Sequence, residues 1–281
     1  MERFPFGVPR LDSVVGGGAP AGSVVLLAGD AGAGAREFLY TAAAMNGLGL
    51  ADEALFDLHY GELDETATRP ASIHYVSLTR GADQLRDEMG FVLDDDIVDA
   101  GLEPVTFADL SPEYFQVSPV PREWYAEAAP DIESLGDARD RPSAFSALAD
   151  YLDANADDGL VLVDSVTDLA SLVRQDDREF SWADLTMLLQ GLEKASHDWE
   201  GLVLLNLDKG TVSAQQLSLL RDAVDGTMLF EWDTGGSERA RTLVVQQFRG
   251  VLSELEAEDI VRFETVIDDA GFDVSDVRKI R

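Results

Sequence analysis

The sequence predicts an α/β fold in which a mostly parallel central sheet is flanked by helices and ends in an antiparallel C-terminal hairpin. Three observations support this. Short apolar runs alternate with amphipathic segments, a glycine-rich loop directly follows the first apolar run, and two strand patterns lie next to each other late in the chain. Strands that alternate with helices are typical of a parallel sheet, whereas two strands joined by a short turn are antiparallel.

The first half of the chain contains two strand-to-helix units. Residues 23–28 form a continuous apolar run, which is typical of a buried parallel strand, and a helix is predicted to begin near Ala35. Residues 72–78 form the second predicted strand, and residues 81–89 form the helix that follows it. This order of elements favours parallel strands joined by helices.

The second half repeats this alternation and then changes to adjacent strands. Phe145, Leu148 and Leu152 lie on one face of a predicted helix that ends before Gly159. Turn-forming residues between the last two core strands predict a hairpin. The predicted elements are, in chain order, a helix around 145–152, a strand over 160–163, a helix over 182–192, a strand over 201–206, a helix over 215–224, strands over 227–232 and 241–248 joined by a turn at 233–237, and a strand over 260–266.

Two stretches interrupt the alternation, and we interpret both as insertions or long loops. The first, over residues 47–70, is acidic, and the second, over residues 111–141, is rich in proline and aromatic residues that either pack on the domain or bind a ligand. With 281 residues and 46% hydrophobic content, the chain is long enough for one sizeable core. We predict one core domain over residues 1–252 and a C-terminal extension over residues 253–281 that packs on it.

The charge of the chain is extreme for a sequence of ordinary hydrophobicity. The 21 Lys and Arg residues against 54 Asp and Glu give a formal net charge of −33, and the acidic residues are spread along the whole chain. This pattern indicates a salt-adapted, halophilic protein, because concentrated salt screens the self-repulsion; an acidic mesophilic protein is the alternative. Nucleic acid is an unlikely partner because no segment offers the clustered Lys and Arg that neutralise phosphates.

Several kinds of site and location are disfavoured by residue usage. The chain contains no cysteine, so it has no disulfide, thiolate metal site or cysteine nucleophile. His59, His74 and His197 do not have metal-ligand spacing, and residues 94–96 are interpreted as a solvated acidic loop. There is no apolar run long enough to span a membrane, and the first residues do not have the pattern of a signal peptide. We therefore expect a cytoplasmic protein with no confident metal site.

The glycine-rich loop after the first strand has the spacing of a phosphate-binding P-loop, G-x-x-x-x-G-K-[S/T]. In a working loop the backbone N–H groups surround the phosphates, the lysine contacts them and the hydroxyl holds Mg²⁺. Here Ala35 stands at the lysine position and Arg36 at the hydroxyl position. We interpret this loop as a vestigial nucleotide-binding loop. Its residues are Gly29, Asp30, Ala31, Gly32, Ala33, Gly34, Ala35 and Arg36.

Nucleotide binding is less strongly disfavoured than hydrolysis. Backbone N–H groups at a helix N-terminus attract anions whatever the side chains are. Arg36 could either replace part of the missing positive charge or point away from the pocket, and Asp30 would oppose phosphate if it faced inward. ATP or ADP with Mg²⁺ is therefore a candidate cofactor.

The N-terminal motifs extend the similarity beyond the loop. Residues 7–12 read G-x-x-x-L-D, a glycine cluster follows at 16–18, and residues 20–23 lead through Gly22 and Ser23 into the first strand. With these spacings the sequence resembles the KaiC-like branch of the RecA ATPase superfamily, most clearly at its N-terminus and more weakly to about residue 252. The resemblance implies a RecA-like P-loop NTPase fold.

The same resemblance assigns roles to residues elsewhere in the chain. Thr79 and Arg80 stand where the family has paired catalytic glutamates, so the general base is missing there. Asp164 matches the Walker B carboxylate of the Mg²⁺ shell, although a strand-end Asp is also a common helix cap or switch-point residue. Arg249 matches the arginine of the family's K-x-R-G element, which acts on a neighbouring subunit's phosphate, but Gln247 replaces its lysine. A surface arginine before a glycine turn is the alternative for Arg249.

These substitutions predict a catalytically degenerate domain, a pseudo-ATPase, that acts as a regulatory or signalling interaction protein. Each lost electrostatic contact of about 3 kcal/mol corresponds to roughly 100-fold in rate, so several losses leave little hydrolysis. Expected partners are an active RecA/KaiC-like ATPase or a signalling protein, and a homo-oligomer is possible; a membrane is not expected. The alternatives are a slow, atypical ATPase that uses Asp164 and Arg249 and, less favoured, an accessory protein of DNA repair or recombination.

Overall fold

A computed structural model describes residues 2–116, 118–125, 142–173, 180–233, 240–252, 255 and 260–279. It confirms the predicted α/β fold, with a large and mostly parallel sheet between helices and an antiparallel C-terminal hairpin. Most of the predicted turn at 233–237 and much of the 111–141 segment lie outside the described residues.

The centre of the molecule is a nine-stranded sheet in the order β11-β10-β9-β8-β3-β7-β6-β4-β5. The strands from β8 to β5 in this order are parallel, whereas β9, β10 and β11 are antiparallel to their neighbours. A short second sheet pairs β1 with β2. The strands are β1 (Arg3–Phe4), β2 (Ala19–Pro20), β3 (Ser23–Gly29), β4 (Ser72–Ser77), β5 (Val105–Asp109), β6 (Gly159–Asp164), β7 (Leu202–Asp208), β8 (Gly226–Asp233), β9 (Ala240–Phe248), β10 (Ile260–Asp268) and β11 (Gly271–Lys279).

Helices cover both faces of the sheet and enclose two apolar cores. The first core includes α2 and α5, and the second includes α7, α8 and α9. The α-helices are α1 (Pro9–Val14), α2 (Ala35–Ala51), α3 (Glu53–His59), α4 (Ala82–Met89), α5 (Asp95–Gly101), α6 (Ser111–Phe115), α7 (Ala144–Asn155), α8 (Val166–Val173), α9 (Trp182–Trp199) and α10 (Ala214–Asp222). Among the described helices, none is long and apolar enough to cross a membrane.

Strand β3 is continuously apolar because both of its faces are buried. Val25 and Leu27 contribute to one core, and Val24 and Leu26 contribute to the other. All seven residues of the strand are buried, with β7 on one side and β8 on the other. The glycine-rich loop therefore leaves the middle of the sheet at a fixed position.

The G-x-x-x-L-D segment folds around the carboxylate of Asp12. Asp12 is buried and accepts hydrogen bonds from the backbone N–H groups of Phe6, Gly7 and Val8 and from the Tyr60 hydroxyl. These four donors satisfy a carboxylate that would otherwise be costly to bury. The motif thus holds the N-terminal segment against the core.

The C-terminal hairpin extends the sheet and packs against α2. β10 pairs with β9, and β11 forms the outer strand. Phe272 on β11 contacts Phe38 and Phe230, with ring centroids 5.3 and 5.6 Å away. The Phe272 N–H donates to the Thr41 hydroxyl of α2. The hairpin is thus part of the packing around the helix that follows the P-loop.

The interpretation of residues 47–70 as an insertion or long loop stays a prediction; in this stretch α2 continues to Ala51 and α3 follows it, capped by the Asp52 side chain and with Phe56 buried. A second expectation is wrong. The acidic residues at 94–96 are not a loop but mark the start of α5, whose Ile97 is buried. Acidic residues favour the first turn of a helix because they offset its positive dipole end.

Candidate functional site

The candidate site lies at the carboxyl ends of β3, β6 and β7, where parallel sheets typically bind their ligands. A cleft of about 300 Å³ opens there, between the P-loop with the start of α2 and the segments that follow β6 and β7. Its lining residues are Gly29, Asp30, Ala31, Gly32, Gly34, Ala35, Arg36, Glu37, Ser165, Thr167, Asp168, Asn206, Leu207 and Asp208.

The P-loop backbone retains a conformation suited to anions. Gly32 and Gly34 have φ angles of 72° and 110°, in the left-handed region that favours glycine. Gly34 caps α2 without a side-chain hydrogen bond, so the first N–H groups of the helix have no helical partners. Ala35, at the lysine position, is buried and carries no charge.

The loop is held by side chains of the β8–β9 hairpin. The Trp232 indole N–H donates to the Ala31 carbonyl at 3.1 Å, and Arg241 Nε donates to the Gly32 carbonyl at 3.1 Å. The Arg241 guanidinium also lies 4.8 Å from the centroid of the Trp232 ring, in cation–π geometry. These contacts brace the loop from the side of the hairpin.

Asp164, at the end of β6, is surrounded by hydrogen-bond donors. Its side chain is only 1% exposed. Asn206 Nδ2 lies 3.0 Å from its Oδ1, and the Tyr75 hydroxyl lies 3.2 Å from its Oδ2. Arg36 Nη2 lies 3.5 Å from Oδ1, and Arg80 Nη1 lies 3.3 Å from Oδ2. Each carboxylate oxygen therefore has two donors.

Arg80 connects Asp164 to a second carboxylate. Its Nε lies 3.1 Å from Glu88 on α4, and Glu88 also accepts the hydroxyl of Tyr40 on α2 at 3.0 Å. Burial, followed by the charge of Asp164, raises the pKa of Tyr75 well above its ordinary value, so this phenol remains a hydrogen-bond donor. The network joins α2, β4, α4 and β6.

This donor set does not fit Mg²⁺ at Asp164. A carboxylate offers about four lone-pair sites, and the four donors use all of them. Mg²⁺ requires oxygen ligands at about 2.0–2.1 Å, and the position that supplies the P-loop hydroxyl holds Arg36 instead. Among the described residues, no group of three or more His, Cys, Asp or Glu side chains could hold a metal ion.

The charges in the cleft are unfavourable for a triphosphate. Among the described residues that line it, Asp30, Glu37, Asp168 and Asp208 carry carboxylates, and Arg36 carries the one guanidinium. Burial raises the pKa of Asp168, whose carboxylate accepts the Ser165 hydroxyl at 2.7 Å. The backbone of the loop therefore favours an anion, whereas the side chains around it oppose one.

Lys209 follows Asp208 of the cleft lining in the chain, and its ammonium group is paired with two carboxylates. Its Nζ lies 3.3 Å from Asp30 and 2.8 Å from Glu231. Burial lowers the pKa of Lys209, but these two carboxylates raise it by more, so the group is charged. Its charge is offset by the carboxylates rather than directed at a phosphate position.

Arg249 lies away from the cleft, just after β9. Its guanidinium is 2.7 Å from Glu193 and 3.2 Å from Asp225 of the same chain, and its side chain is 67% exposed. The structure thus pairs this arginine with acidic residues of its own chain. Its action as a finger on a neighbouring subunit stays a prediction.

The structure brings together most of the residues selected from the sequence and adds several others. The P-loop, Asp164 and Arg80 meet at one edge of the sheet, and Arg36 points into the cleft rather than away from it. Sequence reasoning missed Tyr75 and Asn206. The position of Asn206 could have indicated it, because this polar residue lies near the carboxyl end of a strand next to β6, where parallel sheets bind their ligands.

The comparisons with known proteins concern the fold. No protein-family model matches the sequence, and no curated protein matches it. Among solved structures, the chain is similar to a KaiC-like protein from the hyperthermophilic archaeon Pyrococcus horikoshii OT3, with 17% identity, a TM-score of 0.59, and coverage of 98% of this chain and 99% of that one. It is also similar to the flagellar accessory protein FlaH from Methanocaldococcus jannaschii, with 13% identity, a TM-score of 0.54 and 96% coverage of both chains. The protein therefore has the RecA-like fold of the KaiC-like proteins.

Proposed function

We propose that this protein is a catalytically degenerate RecA/KaiC-like domain that acts as a regulatory or signalling interaction protein, with weak or no ATP hydrolysis. The observation that carries the proposal is the pairing of Asp164 with Arg36 and Arg80. Phosphoryl transfer depends on a metal ion and positioned cations around the γ-phosphate. Here the carboxylate that would hold the metal shell is bonded to two arginines, and Ala35 replaces the lysine.

The P-loop contacts support a role that does not need turnover. The loop is braced by Trp232 and Arg241, and its glycines keep their left-handed backbone. A loop that is braced by side chains of its own chain is suited to presenting a constant surface to a protein partner. We expect this partner to be an active ATPase of the same fold, a signalling protein or a second copy of the chain, in the cytoplasm of a salt-adapted cell.

A slow, atypical ATPase is the second candidate, and the open cleft with its free helix N-terminus favours it. It would use Asp164 and Arg249, so it requires both side chains to leave their present ion pairs. An accessory role in DNA repair or recombination is less favoured, because a net charge of −33 repels nucleic acid.

Restoring the missing groups tests the proposal. The variant Ala35→Lys/Arg36→Thr/Arg80→Glu returns the lysine, the hydroxyl and one glutamate to the site. Phosphate release from Mg-ATP is measured in concentrated KCl for this variant and for the wild type. We expect no release above background from the wild type and at least a tenfold gain in the variant, since one such contact is worth roughly 100-fold in rate.

The control variant Arg10→Thr/Arg69→Gln changes the net charge by the same amount, at positions that do not line the cleft. It should release no more phosphate than the wild type. Light scattering of the wild type with and without Mg-ATP should show one unchanged association state. Wild-type turnover that depends on Mg²⁺, or assembly that requires nucleotide, would contradict the proposal.

A further inference from the structure

Ion pairs at Asp164 connect three parts of the fold. Arg36 comes from the first turn of α2, Arg80 from the segment between β4 and α4, and Asp164 from the end of β6. Both guanidinium groups reach the same carboxylate, one at each oxygen, at 3.5 and 3.3 Å. The ion pairs therefore join the P-loop helix to two strands of the sheet.

The charges of the two arginines match the charge that a divalent cation would bring. An uncompensated carboxylate buried as deeply as Asp164 would be strongly destabilising. Arg36 replaces the hydroxyl residue that would accompany the metal, and Arg80 replaces a residue of the catalytic glutamate pair. By the family resemblance, one position of the metal shell and one position of the general base thus supply positive charge next to Asp164.

The two ion pairs differ in their exposure. The Arg80 side chain is 22% exposed and is held from its other side by Glu88, whereas the Arg36 side chain is 42% exposed. A guanidinium keeps its charge at any physiological pH, so neither ion pair is lost through deprotonation of its arginine. Water and salt screen the pair of Arg80 with Asp164 less than they screen a surface pair.

We propose that Arg36 and Arg80 permanently replace the divalent cation at Asp164, so that the site takes up no Mg²⁺ or Mn²⁺ and the junction of α2, β4 and β6 is held without any ligand. This inference rests on the proposed loss of hydrolysis and extends it to regulation. The surface that the domain presents to a partner does not depend on metal or nucleotide. Such a protein presents its partner surface constitutively, unlike a domain that is ordered only when Mg-nucleotide binds.

Mn²⁺ binding tests the inference directly. The paramagnetic resonance signal of free Mn²⁺ is titrated against the wild type, against Arg36→Thr/Arg80→Gln and against the charge-matched control Arg10→Thr/Arg69→Gln, all in concentrated KCl. We expect the wild type and the control to show the same weak, non-saturating uptake. The Arg36→Thr/Arg80→Gln variant should take up one Mn²⁺ at least tenfold more tightly and be stabilised by it against heat.

Saturable uptake of one Mn²⁺ by the wild type would overturn the inference, as would a folded Arg36→Thr/Arg80→Gln variant that gains no Mn²⁺. If that variant does not fold, two measurements on the wild type decide. The first is the Mn²⁺ titration, and the second is the midpoint of thermal unfolding, which we expect to be unchanged by Mg²⁺. The two proposals fail separately. Mn²⁺ uptake without hydrolysis contradicts this inference alone, and hydrolysis without Mn²⁺ uptake at Asp164 contradicts the proposed function alone.

Discussion

Gly34 shows how a single residue connects the candidate site to the rest of the fold. It is the last residue before α2, and its φ of 110° lies in the left-handed region. A Cβ at this position would lie 2.9 Å from Cε2 of Phe272 on β11. Two separate constraints, backbone conformation and the close approach of an aromatic ring, therefore require glycine here.

We expect Gly34→Ala to lower the free energy of unfolding by about 2–4 kcal/mol, from about 1–2 kcal/mol of backbone strain and a further cost of overpacking. Chemical denaturation monitored by circular dichroism measures it. Gly61→Ala is the matched control, because Gly61 has a φ of 90° but no atom within 4 Å of its Cβ position. The control should show the backbone cost alone, and equal losses in the two variants would show that Phe272 does not constrain the loop.

Single residues also show how far the sequence predicts the site. Spacing was sufficient to place Ala35 and Arg36 in the loop and Asp164 at a strand end, because these features are local in the chain. The ion pairs of Asp164 were not predictable, because Arg36 and Arg80 lie 128 and 84 residues away from it in sequence. The contacts of Tyr75 and Asn206 depend in the same way on which strands are neighbours in the sheet.

At the level of elements, the C-terminal hairpin supports the P-loop helix. β11 contacts both α1 and α2, and its Phe272 is fully buried among Phe38, Phe230 and Gly34. A predicted strand over 260–266 agrees with β10, but β11 was missed. Its apolar alternation is broken, because Ser275 and Asp276 both lie between Val274 and Val277, and so short an alternation is not distinctive of a strand.

Phe272→Ala should cost about 3–5 kcal/mol, the usual range for truncating a buried phenylalanine. Hydrogen exchange should also become faster in residues 29–36, because the ring packs against Gly34. Val266→Ala on the neighbouring strand is the control, since Val266 is 37% exposed, and it should cost less than about 1 kcal/mol. Unchanged exchange in the P-loop of Phe272→Ala would contradict a supporting role for the hairpin.

Whether the other helices and strands were predicted depends on how clear their apolar pattern is in the sequence. The buried strands and the long amphipathic helices were predicted within a few residues, because their apolar spacing is clear. β5 was missed because it is a short edge strand with only Val105 buried. α5 was missed because its acidic start resembles a loop. In both cases the apolar pattern is too short to be distinctive.

At the scale of the whole molecule, the charge dominates. A net charge of −33 on 281 residues creates strong self-repulsion at low salt, and the described ion pairs use only a small part of the acidic residues. Salt at about 1 M shortens the screening length to about 3 Å, which suppresses this repulsion. The compact state is therefore expected to depend on salt.

We expect the midpoint of thermal unfolding to rise by about 5 °C or more between about 0.1 M and about 2 M KCl, which corresponds to about 3 kcal/mol for a chain of this size. Differential scanning calorimetry measures it. The control is sucrose, at a concentration that stabilises a reference protein of zero net charge as much as the KCl does. It measures the stabilisation that comes from solvent exclusion alone. A midpoint that KCl moves no further than sucrose would contradict salt adaptation.

The most direct test of the account is calorimetric titration of the wild-type protein with Mg-ATP and with a non-hydrolysable analogue in multimolar KCl, with phosphate release followed in the same samples. The account predicts no release above the protein-free rate, because Asp164 is bonded to Arg36 and Arg80 and the P-loop lysine is absent. Any binding that occurs should be equal for ATP and its analogue. Steady Mg²⁺-dependent release of phosphate would contradict the central claim and show that the site retains a catalytic base.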